Sequence, residues 1–271
     1  MEDLTAVVTG ASSGIGRAAA VELARRGWRV ALVGRDRDRL DTAHAAVRAA
    51  AAGPEPVKVQ ADFASLEAVR SAALSLTKLD RIALLANNAG VVARSRKITV
   101  DGHELTIQTN HLAPFLLTQL LRDRLTPGAR IVTTASMAHT WGTPNPADLS
   151  PGGIYSAWRS YGASKSANIL FAAEGARRWP ELLSFSFHPG VVRSNFGTPL
   201  AQLFYRIAPG LSTPEQGADT LVHLATAPPD ALTNGAYYVD RKPVRPKRSL
   251  ADEQLAADLW DASHAAVADF L

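Results

Sequence analysis

Hydrophobic residues along this chain fall in short continuous runs, separated by longer stretches in which they recur every three or four positions. The first run, 5–9, is apolar and β-branched, and predicts a strand. From 14 to 26 the spacing is helical and Ala-rich. A second run, WRVALVG (28–34), predicts a strand, and 36–52 a helix stopped by Gly53-Pro54. The alternation continues with PVKVQ (56–60) as a strand and 65–77 as a helix with Ser65 at its N-cap. RIALLAN (81–87) predicts a strand, 101–125 one long helix, ARIVTTAS (129–136) a strand, 156–179 a helix and LLSFSFHPG (182–190) a strand. Thr213-Pro214 opens a helix over 213–226, since Pro is tolerated in a first turn. GAYYVD (235–240) is the last strand, after an Asn234-Gly235 turn, and 252–270 is the terminal helix.

Seven apolar runs separated by helices imply an α/β fold, a doubly wound parallel sheet of about seven strands. No internal repeat or low-complexity linker interrupts the pattern, so one domain is expected over 1–271. Two segments stand apart from it: an insertion at 137–160 and a lid-like stretch at 195–209, where Leu200, Leu203, Phe204 and Ile207 recur at helical spacing.

Composition narrows the classes. Of 271 residues, 46% are hydrophobic and 20% charged, enough for a large core and unlike a disordered chain. The net charge of +4 comes from basic residues interleaved with acidic ones, as in GRDRDRLD. The densest basic stretch, DRKPVRPKR (240–248), is short and broken by Pro. The charge therefore predicts a solvated surface with some residues serving an anionic cofactor, and no nucleic-acid partner. With no Cys there is no disulfide and no thiolate metal site, and no metal is expected. No run of about 18 apolar residues and no leader-like start are seen, so the expectation is a cytoplasmic protein without a membrane span.

Candidate chemistry begins at VVTGASSGIGRAAA, which follows the first strand and opens the first helix. Gly10 permits a tight turn, Gly14 a close backbone approach to a pyrophosphate, and Gly16 close packing of helix on sheet. The helix N-terminus then offers N–H groups and partial positive charge to phosphates. The next strand ends in Gly34-Arg35, where a carboxylate would bind a ribose 2′-hydroxyl. Arg35 can pair with a 2′-phosphate instead, with help from Arg17. NADP(H) is expected over NAD.

Further along lie LLANNAG, IQTNHLAPFLLT, a Ser (Ser136) at the end of the fifth strand, YGASK and FHPGVVRSNF. In this order, with TGASSGIG, they resemble the short-chain dehydrogenase/reductase family, in its retinol-dehydrogenase and carbonyl-reductase-like branch. The resemblance spans most of the chain. It implies a Rossmann-type fold and hydride transfer between a nicotinamide and a carbonyl or alcohol. It also implies a catalytic group of Ser136, Tyr161, Lys165 and Asn110. The residue types suit that chemistry. Tyr161 and Lys165, four apart, share a helix face. A free phenol has a pKa of about 10, and a nearby ammonium brings it towards neutrality. Tyr161 would exchange a proton with the substrate oxygen, and Ser136 would hydrogen-bond that oxygen. By resemblance, Lys165 also binds the nicotinamide ribose, and Asn110 holds a water linking Lys165 to solvent.

The same resemblance assigns cofactor contacts to the turn residues Gly10, Ser12, Ser13, Gly14, Ile15 and Gly16. It places Asp62 and Phe63 at the adenine and has Asn88, Ala89 and Gly90 line the cofactor. Pro189, Gly190 and Val192 would pass under the nicotinamide, with Ser194 near its carboxamide. His139 and His188 are read as structural, because the Tyr–Lys pair already supplies the acid. Two departures stand out: Ala135 replaces a Ser common in the branch, and Ala113-Pro114 replaces Gly-His, which predicts a kinked helix.

The insertion is rich in Pro and Gly and leaves the strand end at which doubly wound sheets bind ligands. It is expected to wall a substrate pocket, with Trp141, Tyr155 and Trp158 as apolar contacts. The expected function is reduction of a bulky apolar ketone or aldehyde, or the reverse oxidation. A non-redox dehydration, cyclisation or epimerisation could use the same Tyr and Lys; a third class, a cofactor-sensing binding protein, is opposed by the intact Ser136, Tyr161, Lys165 and Asn110. The family resemblance also allows a homo-oligomer.

Overall fold

The structure, a computed structural model, describes residues 4–192 and 211–271. Ser194 and the lid-like stretch 195–209 lie outside the described residues.

Eight strands form one sheet in the order β3-β2-β1-β4-β5-β6-β7-β8. They are β1 (Thr5–Thr9), β2 (Arg29–Gly34), β3 (Val57–Gln60), β4 (Ile82–Asn87), β5 (Leu125–Thr134), β6 (Leu183–His188), β7 (Tyr237–Val239) and β8 (Lys242–Val244). The first seven pair in parallel. Order reverses between β1 and β4, and that switch point opens a crevice at the carboxyl ends of the strands.

Helices cover both faces. One face carries α1 (Gly14–Arg25), α2 (Arg37–Ala50) and a later helix over Pro214–Thr226. The other carries α3 (Leu66–Leu76), the helical stretch 105–121 (α4) and α5 (Ala157–Arg178). The helix over Pro214–Thr226 is α6, and Glu253–Ala266 is α7. Alternate strand residues feed the two cores: Val7, Val33 and Leu85 pack with Leu66, Leu112 and Phe115, whereas Val8, Leu32 and Phe187 pack with Leu23, Val47 and Leu221. Both faces are buried, so the strands read as unbroken apolar runs.

Two elements, β8 and α4, differ from the sequence reading. The eighth strand was not anticipated. It pairs antiparallel with β7 through Asp240 and Arg241, both left-handed at φ 48° and 63°. Its three residues, Lys242, Pro243 and Val244, are all exposed, which suits an edge strand and makes no apolar run to read. The helix expected over 101–125 is shorter. A turn at Gly102 (φ 85°) delays it, and Glu104 caps its start by accepting from Ile107 N–H. At the other end, Leu125 already belongs to β5. Within α4, an α turn (Leu105–Ile107) passes into a π-helical turn (Gln108–Leu112) before α geometry resumes over Ala113–Leu121. Pro114 has no N–H for the carbonyl four residues back, and the wide turn lies where that bond is missing.

Candidate active site

The turn after β1 is built by absent side chains. Gly10 has φ 65°, and a Cβ there would lie 2.9 Å from Ala89 Cα. A Cβ on Gly16 would lie 2.4 Å from the Gly10 carbonyl oxygen, so helix and turn touch backbone to backbone. Gly14 differs: at φ 54°, a Cβ would meet nothing within 4 Å. It faces open space at the start of α1. Ser13 is exposed at the N-cap and makes no side-chain cap bond, and the first turn of α1 has no acidic residue. Ser12 packs against Gly34.

Arg35 follows β2 and is exposed, with no ion-pair partner among the described residues. Its neighbour Asp36 caps α2 by accepting from Arg39 N–H, so that carboxylate is already engaged. Asp62 accepts from Ala64 N–H. The Phe63 side chain is buried in the core under α3 and α4, so at an adenine site that residue offers its backbone rather than its ring.

Thr9 was not singled out in the sequence. Its hydroxyl accepts from the N–H groups of Asn88 (2.9 Å) and Ala89 (3.1 Å) and donates to the Ala86 carbonyl. The Asn88 amide donates to the Thr9 carbonyl, and its oxygen accepts from Thr134 Oγ1. Thus Asn88 ties three strand ends together. Gly90 lies where a Cβ would be 3.2 Å from Asn110 Oδ1 and 3.6 Å from Lys165 Nζ.

The catalytic candidates converge beside it. Asn110, on the π-helical turn, accepts from Val91 N–H (2.7 Å) and donates to the Val91 carbonyl and to Ser164 Oγ, both at 3.0 Å. On α5, Lys165 Nζ lies 5.5 Å from the Tyr161 ring centroid. Lys165 is 2% exposed and donates to the Thr134 carbonyl at 2.9 Å. Burial pulls its pKa down to about 7. Ser136 has extended backbone and accepts from Ala138 N–H with its hydroxyl oxygen, which leaves its own proton for another acceptor.

A short helical turn, Met137–Trp141, follows Ser136 and lies on the start of α5. A Cβ on Gly162 would be 2.5 Å from the Ala138 carbonyl oxygen, and one on Gly142 2.3 Å from that of Arg159. These glycines let Ser136's turn approach Tyr161's helix. Gly162 had a readable signal: Gly inside a helix costs about 1 kcal/mol against Ala and asks for a packing reason. Ser166 secures the turn by hydrogen bonds to the carbonyls of His139 (3.0 Å) and Gly142 (2.6 Å).

Both flanking histidines occupy buried surroundings. His139 Nδ1 bonds the Ser136 carbonyl (2.8 Å) and Nε2 accepts from Lys247 N–H, an arrangement of the neutral ring. Burial lowers its pKa, and lowers that of His188 to about 4. After His188, Gly190 turns at φ 80° and Val192 bridges to Ser212. A Cβ on Gly217 of α6 would strike Val192 (2.5 Å) and Ile15 (3.1 Å). Gly217, which the sequence reading passed over, is thus where the 189–192 segment meets the phosphate-type turn.

The insertion divides into two parts. Tyr155 is fastened to the body: its hydroxyl donates to the Ala93 carbonyl or to Glu104 Oε1, both at 3.1 Å. Its expected place in a substrate pocket is therefore corrected to a strap on the segment before α4. Trp141 and Trp158 remain 56% and 42% exposed. They meet edge to face at 5.4 Å, and Trp158 meets Tyr161 the same way at 6.2 Å. An exposed aromatic surface leads to the Tyr161 ring.

This arrangement fits a dinucleotide. It offers an open Gly14 at a helix start, an unpaired cation at Arg35 and a side-chain-free approach at Gly90 beside Lys165. Among the described residues no cluster of metal-ligating groups is present, and no helix is long and apolar enough to cross a membrane.

Residues 4–202 match the model of the short chain dehydrogenase family, and the chain belongs to that oxidoreductase family. Among curated relatives, it is 50% identical to the Streptomyces sp. (strain C5) protein named "Putative daunorubicin C-13 ketoreductase DnrU", over 98% of this chain and 93% of the other. It is 37% identical to human retinol dehydrogenase 14, over 98% and 87%. Among solved structures it resembles an uncharacterized protein from Mycobacterium paratuberculosis (TM-score 0.80, 33% identity, 98% and 93% covered). Another is a short chain dehydrogenase from Burkholderia cenocepacia J2315 in complex with NADP (TM-score 0.68, 27% identity, 87% and 94% covered).

Proposed function

We propose that this protein is an NADPH-dependent ketoreductase for a bulky polycyclic aromatic ketone, with Tyr161 as general acid. The observation that carries the reading is the buried Lys165 beside Tyr161, in a chain half identical to a protein named as a ketoreductase. Gly10–Gly16 and α1 would hold the pyrophosphate, Arg35 the 2′-phosphate, and Lys165 the nicotinamide ribose. When bound, the nicotinamide supplies the hydride. Tyr161 gives its proton to the carbonyl oxygen as negative charge develops there. The Ser136 O–H donates to the same oxygen and stabilises that charge.

Lys165 acts on Tyr161 in two ways. Its ammonium favours the phenolate left after proton transfer. With its pKa near 7 it also exchanges protons readily at neutral pH. Asn110 holds Ser164, the residue before Lys165, and fixes the helix turn that presents it. Trp141 and Trp158 give a flat substrate two apolar faces.

The test is incubation with daunorubicin and NADPH or NADH, followed by chromatography for the secondary alcohol. Alcohol formed faster with NADPH is the expected result. NADPH binding without oxidation, by any ketone of a panel that includes retinal, would favour the non-redox or sensing alternatives.

A further inference from the structure

The residue after Asn110 is also buried and polar, and the catalytic reading leaves it unused. His111 is 2% exposed, among Phe115, Phe171 and Trp260. Its Nδ1 lies 3.3 Å from Asn168 Oδ1 and its Nε2 2.8 Å from Ser263 Oγ on α7. The Asn168 amide donates to the Thr134 carbonyl at 3.1 Å. That carbonyl is the one that accepts from Lys165 Nζ.

The contact to Asn168 selects the neutral tautomer, while the single Ser263 proton is shared between His111 Nε2 and the Leu259 carbonyl, 2.7 Å from Ser263 Oγ. Asn168 must turn its NH₂ to the Thr134 carbonyl, so its oxygen faces His111. His111 must then carry its proton on Nδ1, which leaves Nε2 as an acceptor for the Ser263 hydroxyl whenever that hydroxyl turns from the Leu259 carbonyl. The other tautomer would set a lone pair against Asn168 Oδ1. Turning the Asn168 amide over would set its oxygen against the Thr134 carbonyl. Burial agrees with a neutral ring, since it lowers the His111 pKa to about 4.

We propose that His111 and Asn168 are positioning residues for Lys165, acting through the Thr134 carbonyl. Ser263 stands at the far end of the chain, between His111 Nε2 and the Leu259 carbonyl. From the ring onward the hydrogen bonds run one way: His111 to Asn168, and Asn168 to the carbonyl that also holds the lysine. Asn168 lies three residues beyond Lys165 on α5, so both side chains reach Thr134 from one helix face. Thr134 is two residues before Ser136. The chain therefore fixes the strand end that carries the serine as well as the acceptor of the lysine. The π-helical turn lets neighbouring residues of α4 both serve α5: Asn110 bonds Ser164 and His111 bonds Asn168.

The proposal rests on Lys165 being the catalytic, ribose-binding lysine, and its test separates the two ideas. His111→Phe, Asn168→Leu and His111→Asn are compared with Lys165→Ala in the full-length protein. An Asn amide nitrogen at 111 can take the place of Nδ1–H and donate to Asn168. Two readouts are made: NADPH affinity by fluorescence titration, and turnover of daunorubicin per NADPH-binding site. The temperature is well below every melting point. His111→Phe and Asn168→Leu are expected to weaken NADPH several-fold and lower turnover per site about tenfold, with the KM for ketone unchanged. The double variant should be no worse than the worse single one, since both break one chain. His111→Asn should recover most of both losses. Wild-type NADPH affinity in His111→Phe and Asn168→Leu, with only a lower melting temperature, overturns the positioning role. So does a His111→Asn variant no better than His111→Phe. Wild-type affinity and turnover in Lys165→Ala would instead remove the catalytic reading beneath it. Should no ketone be reduced, the NADPH titration alone decides.

Discussion

The two halves of the candidate site are built on opposite principles. The turn after β1 works by leaving side chains out: Gly10 and Gly16 allow backbone to touch backbone, and Gly14 opens the helix start. The corner around Lys165 works by filling the interior with polar groups and pairing them. Lys165, Asn110, Ser164, Asn168 and His111 are all buried, and each has a hydrogen-bond partner. A buried polar group left unpaired costs about 1–3 kcal/mol. Steric absence is specified locally, whereas a buried polar network needs partners from distant parts of the chain. The corner draws on β5, α4, α5 and α7, with sequence separations of up to 152 residues.

The largest effect should come from the corner. Tyr161→Phe removes only the proton donor, so turnover should fall by about 10²–10⁴-fold, while NADPH titration stays near wild type. Near-wild-type turnover in this variant would remove the assigned mechanism.

Within the turn, the glycines should separate. Gly16→Ala drives a Cβ into the Gly10 carbonyl and should lower the melting temperature sharply along with NADPH binding. Gly14→Ala meets no neighbour and carries only the cost of a left-handed residue, about 1–2 kcal/mol. It should stay folded and yet lose NADPH, because the methyl occupies the side open to phosphate. Equal melting losses in the two variants would contradict a ligand-facing Gly14.

Arg35→Asp probes the choice of cofactor. A charge-assisted bond is worth about 1.5–3 kcal/mol, so NADPH affinity should fall by roughly 10- to 150-fold while that for NADH holds or rises. A wild-type protein that already prefers NADH would overturn the assignment.

The smallest effects distinguish the two parts of the insertion. Trp158→Ala should reduce kcat/KM for the aromatic ketone by about 1–3 kcal/mol in transition-state terms, with melting and NADPH affinity little changed. Tyr155→Phe should do the reverse, costing about 1 kcal/mol of stability and leaving kinetics alone. Loss of stability in both would make the tryptophans a packing feature of the flap.

Sequence reading reached the fold because both sheet faces are buried, so each parallel strand is a visible apolar run and each helix keeps its period. It reached the phosphate-type turn for a similar reason, since glycine spacing is a local steric code. It singled out Ser136, Tyr161, Lys165 and Asn110 through an ordered set of motifs. β8 went unread because a three-residue, exposed edge strand that contains a proline makes no apolar run. The π-helical turn did too: Pro114 announced a disturbance, but the widening that follows from its missing N–H is settled by what α4 packs against. Tyr155 and Trp158 looked alike in a Pro-rich insertion. Only the fold put Glu104 and the Ala93 carbonyl under one hydroxyl and left the other ring in the open. By itself, then, the sequence determined the alternation of strands and helices and the residues whose chemistry is local. The tertiary structure alone decided which buried polar groups answer one another, because the partner of His111 lies 57 residues away at Asn168 and that of Lys165 lies 31 away at Thr134. Hydrogen bonds over such separations leave no period or spacing in a single chain.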